Sequence, residues 1–270
     1  MIAPWRVFDS LYRHRSLLWV MIKRDVLGRY KGSALGLLWS LFNPILTLIV
    51  YTLVFGGILG VSASKGAGGN RDFAIFIFSG MIVYLLFAEC VNRSSTLILS
   101  HANYVKRVVF PLEILPWVVL GSATFHFLVS MGVLLGASLI LRHWIPWTFI
   151  FVPLPLICLG MLIMGITWFL SSLGVYLRDM APTVIVITNL LLFLSPVFYD
   201  INDPSMSPRR RFYLELNPLT FLLGQMRRIA YDQQLPNFLG LLIYFVCATL
   251  FAWIGLIWFQ KTRKGFADVI

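Results

Sequence analysis

The chain has 270 residues, of which 59% are apolar and only 12% charged, with a formal net charge of +11. Soluble domains hold roughly 45–50% apolar and about 25% charged residues, so this balance excludes an ordinary soluble protein and indicates a polytopic membrane protein. The mean hydropathy of +0.84 agrees. The basic residues cluster at the borders of apolar stretches rather than along one polar face, which favours anionic lipid headgroups over nucleic acid as their partner. Cys90, Cys158 and Cys247 fall in apolar stretches without paired spacing and read as small hydrophobes. No cleavable signal peptide is expected, because Leu17–Ile22 is too short for its apolar core and no small-residue cleavage site follows.

Residues 1–33 read as a cytosolic segment ahead of the first span. Trp5, Phe8, Tyr12, Trp19, Ile22 and Val26 recur at helical spacing, while Arg6, Arg13, Arg15, Lys23 and Arg24 occupy other faces. That pattern predicts an amphipathic interface helix, with rings in the headgroup region and cations toward phosphate. Between Gly32 and Ser64 there is no Asp, Glu, Lys or Arg, room enough for the roughly 20 apolar residues of a crossing. Lys23, Arg24, Arg29 and Lys31 hold the entrance of this first span (34–60) at the cytoplasmic face by the positive-inside rule. A glycine- and serine-rich turn at 62–70 leads to span two, 73–99, which carries Glu89, Asn92 and Arg93. Glu89 and Arg93 stand at i, i+4 and can pair on one helix face near the cytosolic boundary, roughly 24–30 Å along the helix. An intramembrane charge is a functional candidate by default; so near the boundary, neutralisation is the plainer role, and the pair can also hold a subunit contact.

His101–Pro116 lies on the cytosolic side and allows about two helical turns closed by Pro111 and Pro116. The residues alone leave two readings open, a force-bearing short helix or an ordinary basic loop. Span three, 114–141, holds His126 as its one titratable group, read as a hydrogen-bonded packing residue because a proton relay needs partners. Span four, 149–177, ends in a turn at Arg178–Asp179, and span five covers 181–199. The connection from Asp200 to Asn237 is long for a compact membrane protein. Ser207-Pro208 predicts a helix start ahead of Arg209, Arg210 and Arg211, and Asn217-Pro218 breaks that helix and begins another. Two half-helices within 205–233 suggest a re-entrant hairpin on the outer side. Span six, 238–259, returns to a cytosolic tail at 261–270. The expectation is therefore an all-α polytopic membrane protein, its domain of six transmembrane helices at 34–260 and both termini cytoplasmic.

Five strings resemble one family in order: KRDVLGRYKGSALGLLW (23–39), YVKRVVFPLEILP (104–116), LGVYLRD (173–179), SPVFY (195–199) and LNPLT (216–220). Together they resemble the membrane subunit of ABC polysaccharide exporters, the type-2 permeases for O-antigen, capsule or teichoic acid, and the likeness covers nearly the whole chain. It implies a homodimer with two copies of an ABC ATPase in the bacterial cytoplasmic membrane, and a pore lined mainly by spans one and five. It also implies a polyprenyl-pyrophosphate-linked polysaccharide as substrate. By this resemblance Tyr104, Lys106, Arg107 and Phe110 belong to the coupling helix, and Arg178 and Asp179 to a second turn near the ATPase. The hairpin with Arg209–Arg211, Asn217 and Pro218 becomes an outer gate. Trp39, Phe42, Tyr51, Phe55, Phe193, Phe198 and Tyr199 are candidate pore rings, since aromatic faces stack weakly on sugars; an interfacial belt or simple packing is the alternative.

No catalytic constellation accompanies these strings. The chain carries no P-loop and no HExxH, so no cofactor or metal is expected on it, and ATP and Mg belong on the partner ATPase. Scarce membrane carboxylates argue against an ion-driven carrier. The alternatives are a type-2 permease for a small hydrophobic compound and a membrane lipid glycosyltransferase. The latter would need catalytic carboxylates at a membrane face.

Overall fold

The structure, a computed structural model, describes residues 12–54, 69–105, 110–201, 203 and 206–269. Outside them lie Trp5, Arg6 and Phe8 of the N-terminal segment, Phe55 of span one, Lys106 and Arg107, and Asn202 and Pro204.

All regular structure among the described residues is helical. Helix α1 (Arg15–Tyr30) turns at Gly32 and Gly36, whose φ values of +86° and +52° few other residues adopt, into α2 (Trp39–Tyr51). Helix α3 (Gly69–Ser94) is followed by two single-turn helices, α4 (Leu97–Ser100) and α5 (Ala102–Val105). Next come α6 (Leu115–Arg142), α7 (Pro153–Tyr176) and α8 (Met180–Leu194). Helices α9 (Pro208–Glu215) and α10 (Pro218–Ala230) precede α11 (Phe238–Thr262) and a last turn, α12 (Phe266–Val269). Proline opens α7, α9 and α10, where its missing N–H costs nothing and its fixed φ suits the first turn.

Five described segments are long and apolar enough to cross a bilayer: Gly36–Val54, Phe73–Ser94, Leu112–Arg142, Trp147–Tyr176 and Phe238–Gly265. The remaining expected span is shorter than its sequence suggests. Helix α8 is apolar but stops at Leu194, and its 15 residues reach only about 22 Å at 1.5 Å each. Pro196 supplies the reason: the residue before a proline is pushed out of the helical region, and Ser195 is extended at ψ 142°.

Helix α3 is the axis. Of the 18-residue apolar window within Phe73–Ser94, 89% is buried inside the chain, against 11% for that within Gly36–Val54. Helices α6, α7, α8 and α10 pack round α3, and α11 runs along α7. The α7–α11 crossing is close because Gly165 meets Gly255, where an added Cβ would lie 2.4 Å from the Gly165 carbonyl oxygen. The starts of α6 and α12 share one end of the bundle with the ends of α3, α7 and α11. There Arg263 Nη1 reaches Glu113 Oε2 at 2.7 Å and Tyr176 Oη donates to the Thr262 carbonyl at 2.8 Å. This end is labelled inner below, after the orientation expected from the basic residues; the opposite end, labelled outer, holds the start of α3 and the α9–α10 pair.

Candidate functional site

At the inner end α1 docks across α3 and α6 through side chains that the linear sequence scatters widely. Its Ile22 fits against Gly121 of α6, where a Cβ would come within 2.3 Å of Ile22 Cδ1. Met21 and Val26 are buried, whereas Tyr12 and Trp19 are 72% and 68% exposed. The expected apolar stripe is thus divided between protein and surroundings. Arg93 Nη2 donates to both Asp25 oxygens at 2.7 and 2.9 Å, and Ser122 Oγ donates to Asp25 Oδ2 at 2.5 Å. Burial pushes the Asp25 carboxyl up, but the hydrogen bonds from Arg93 and Ser122 and the Arg93 charge outweigh it, so its pKa is lowered.

One turn along α3, Glu89 is hydrogen-bonded to Arg29 of α1. His126 Nδ1 lies 3.2 Å from Glu89 Oε2, and its Nε2 lies 3.1 Å from Tyr30 Oη. Glu89 and Arg93 do face each other at 3.8 Å, yet each has a shorter bond to a residue of α1. His126, solitary in the sequence, is part of a four-residue polar group. Asn92, between the two charged positions, accepts from Thr188 Oγ1 of α8 at 2.8 Å, and Tyr84 Oη donates to the Thr188 carbonyl. Helix α3 therefore ties α1 to α8.

Above this network a cavity of about 400 Å³ separates α2 from α3 and α6. Ser40, Asn43 and Thr47 line it from α2, at i, i+3 and i+7, and Glu89, His126 and Ser130 line the opposite wall. The other faces of α2 are bare and apolar: Leu41, Phe42, Leu46, Ile49 and Val50 are all exposed. Helix α8 is similar, with Val186, Leu190 and Phe193 exposed. Apolar faces left uncovered on these two helices call for lipid or another copy.

The candidate rings fall into two groups. Trp39 and Phe42 meet edge-on at 6.3 Å toward the inner end of α2. Tyr51 and Phe198 lie 5.5 Å apart, Phe193 and Phe198 6.3 Å, and Tyr199 Oη donates to the Phe193 carbonyl at 3.2 Å. The outer group thus joins the end of α2 to the end of α8.

Of the proposed coupling residues, Tyr104 stacks on Phe110 at 4.5 Å and on His101 at 5.7 Å, and Arg24 Nη2 donates to Tyr104 Oη at 2.7 Å. That segment is linked to α1. Arg178 and Asp179 stand exposed in the turn between α7 and α8.

At the outer end Asn217 caps α10, its Oδ1 accepting the Leu219 N–H at 3.0 Å while its Nδ2 donates to Ser195 Oγ at 2.8 Å. Arg209, Arg210 and Arg211 are exposed on α9, Arg211 lying 3.4 Å from Glu215. The residue that fastens this end, Arg227, lies outside the set expected from the sequence. Arg227 is 5% exposed; its Nη1 and Nη2 donate to the Tyr199 and Val197 carbonyls at 3.1 and 2.6 Å, and its guanidinium lies 3.8 Å from the Phe76 ring centroid. Burial lowers its pKa to about 10, opposed by Asp200 and Asp232, and it stays charged. Its signal was a cation inside the apolar run Leu219–Ala230.

The family model described as ABC-2 type transporter matches residues 16–231. The O-antigen export system permease protein RfbA of Myxococcus xanthus is 26% identical over 265 residues, covering 98% of this chain and 99% of that protein. An O-antigen export system permease protein RfbA of Klebsiella pneumoniae is 25% identical, covering 94% and 95%. The polysialic acid transport protein KpsM of Escherichia coli is 23% identical, covering 89% and 91%.

Proposed function

Because the chain belongs to the ABC-2 type transporter membrane family, we propose that it is the permease subunit of an ATP-driven exporter of a lipid-linked polysaccharide. Two copies enclose the path, and each engages one ATPase subunit. One observation carries this reading. Helices α2 and α8 bare apolar faces, as α11 does, but it is on α2, on α8 and just past α8 that the described candidate rings sit. A second copy set against them would turn unfinished surface into a lined passage. The full-length likeness to permeases named for O-antigen and polysialic acid supports a polysaccharide, and a polyprenyl-pyrophosphate carrier follows from the same reading.

This chain binds neither ATP nor metal in the proposed cycle. It receives work at its inner end, where the segment around Tyr104 and the turn at Arg178–Asp179 would meet the ATPase. From Tyr104 the link runs to Arg24 on α1, and from α1 through Asp25 and Arg29 to α3. Asn92 and Tyr84 continue it to α8. Displacement at the ATPase contact is thereby passed to a helix that borders the path. Both termini lie on the cytoplasmic side, and the α9–α10 pair closes the far mouth.

The test replaces Tyr51, Phe55 and Tyr199 together by alanine in cells lacking the native gene. The expected outcome is an assembled dimer, lipid-linked glycan held on the cytoplasmic side and a fall in surface polysaccharide. Normal surface glycan with the triple variant would show that these rings face only lipid or core.

A further inference from the structure

The outer end carries a second cavity, of about 350 Å³, in the elbow between α9, α10 and the segment after α8. That volume falls within the ~300–1,000 Å³ of small-molecule pockets. One stripe of α10 builds its wall: Phe221, Gly224 and Arg228, at i, i+3 and i+7, are half-buried on a helix whose other side is packed. A Cβ added at Gly224 would meet nothing within 4 Å, so no neighbour demands the glycine there. Its absent side chain leaves the space open.

The polar groups around that space are of mixed sign. Asp200 and Asp232 line it with carboxylates, Arg227 and Arg228 with guanidiniums. Arg227 is 5% exposed and its Nη1 and Nη2 are taken by the Tyr199 and Val197 carbonyls, whereas Arg228 is only half-buried. Gln225 also lines the cavity; its Oε1 accepts the Asn237 N–H at 2.7 Å, which leaves the amide NH2 as its remaining donor. Glu215 is already engaged by Arg211. A free anion meets two carboxylates in this wall, and a free cation meets two guanidiniums. A neutral ligand with several adjacent hydroxyls suits both, since each hydroxyl can donate to a carboxylate and accept from an N–H. Phe221 adds the apolar surface that the C–H face of a pyranose needs.

We propose that this cavity binds one neutral sugar residue, a hexose or an N-acetylhexosamine. The inference rests on the export reading above, which makes the bound residue a unit of the polymer leaving the protein. It is tested on the full chain in lipid nanodiscs, with the methyl glycosides of glucose, galactose, mannose and N-acetylglucosamine as probes in saturation-transfer NMR. The expected result is transfer to at least one glycoside. Gly224→Leu should abolish it, because the leucine enters open space and raises helix propensity, so the fold survives. Asp232→Asn, at an exposed position, should weaken transfer with an unchanged unfolding temperature. No transfer to any of the four probes, equal transfer in wild type and Gly224→Leu, or transfer confined to a glucuronide control would each overturn the site. Surface glycan in cells carrying the wild-type chain is measured alongside. Its absence would sink the export reading while leaving the binding result intact, and normal export without binding would sink the site alone.

Discussion

The inner and outer ends each fasten a peripheral helix with arginine, but by different chemistry. At the inner end Arg93 meets Asp25, and the two side chains are 30% and 22% exposed. At the outer end Arg227 is buried, holds the Val197 and Tyr199 carbonyls, and lies over Phe76. An ion pair near headgroup water can open, since each partner finds water when it does. A buried guanidinium cannot let go as cheaply: its release strands a cation and two carbonyls at once. Helix α1 is thus attached releasably, whereas α10 is anchored to the exit of α8. That division would suit the proposed exporter, driven from one end and closed at the other.

Arg227→Met is the variant that tests the comparison hardest. It deletes two hydrogen bonds to a charged group and should lower stability by roughly 3–5 kcal/mol, read as a large fall in unfolding temperature in detergent. A loss under about 1 kcal/mol would mean that the carbonyls find other partners and the outer anchor is not special.

Next in size is Asp25→Asn. Partial exposure discounts the pair, so the expected cost is about 1–2 kcal/mol, and a double-mutant cycle with Arg93→Gln should recover most of it as coupling. The acid limb gives the sign independently. Asp25 has a lowered folded pKa, so its contribution is complete above the ordinary carboxylate value of ~3.9 and is lost as pH falls through the lowered one. Asn at this position should flatten that part of the stability–pH curve. An unchanged acid limb would break the assignment of this pair as the inner fastening.

Thr188→Val probes the link between the two ends and should have the smallest effect on stability, about 1 kcal/mol, because the Tyr84 bond to the Thr188 carbonyl remains. If α3 relays displacement to α8, the variant should reduce ATP-driven export more than it reduces unfolding temperature. Equal, small changes in both would reduce this contact to packing.

Much of the architecture was legible because the bilayer imposes a coarse rule. A backbone in hydrocarbon must satisfy its own hydrogen bonds, so long apolar runs become helices wherever they occur. The helix starts at Pro208 and Pro218 were readable for a local reason, since capping and proline chemistry act within a few residues. Composition and periodicity thus determined the solvent, the helical class and the approximate ends of most helices. The motif strings added the family.

Tertiary structure alone decided which polar residues meet. Glu89 and Arg93 were visible as an i, i+4 pair, but Asp25 lies 68 residues from Arg93 and His126 lies 37 from Glu89. No local period encodes such contacts; they arise because α1 docks across α3 and α6 and removes these groups from water together. The same holds for Arg227, whose partners lie 28 and 30 residues away, and for Gly121, whose use is apparent only with Ile22 against it. The length of α8 lay between the two: Pro196 marked its end in the sequence, while the apolar residues beyond it argued for continuing. Hydrophobicity says where a chain is content to lie in a membrane. Which buried charge meets which partner depends on how the helices pack, and in a low dielectric that pairing sets the cost of every later movement.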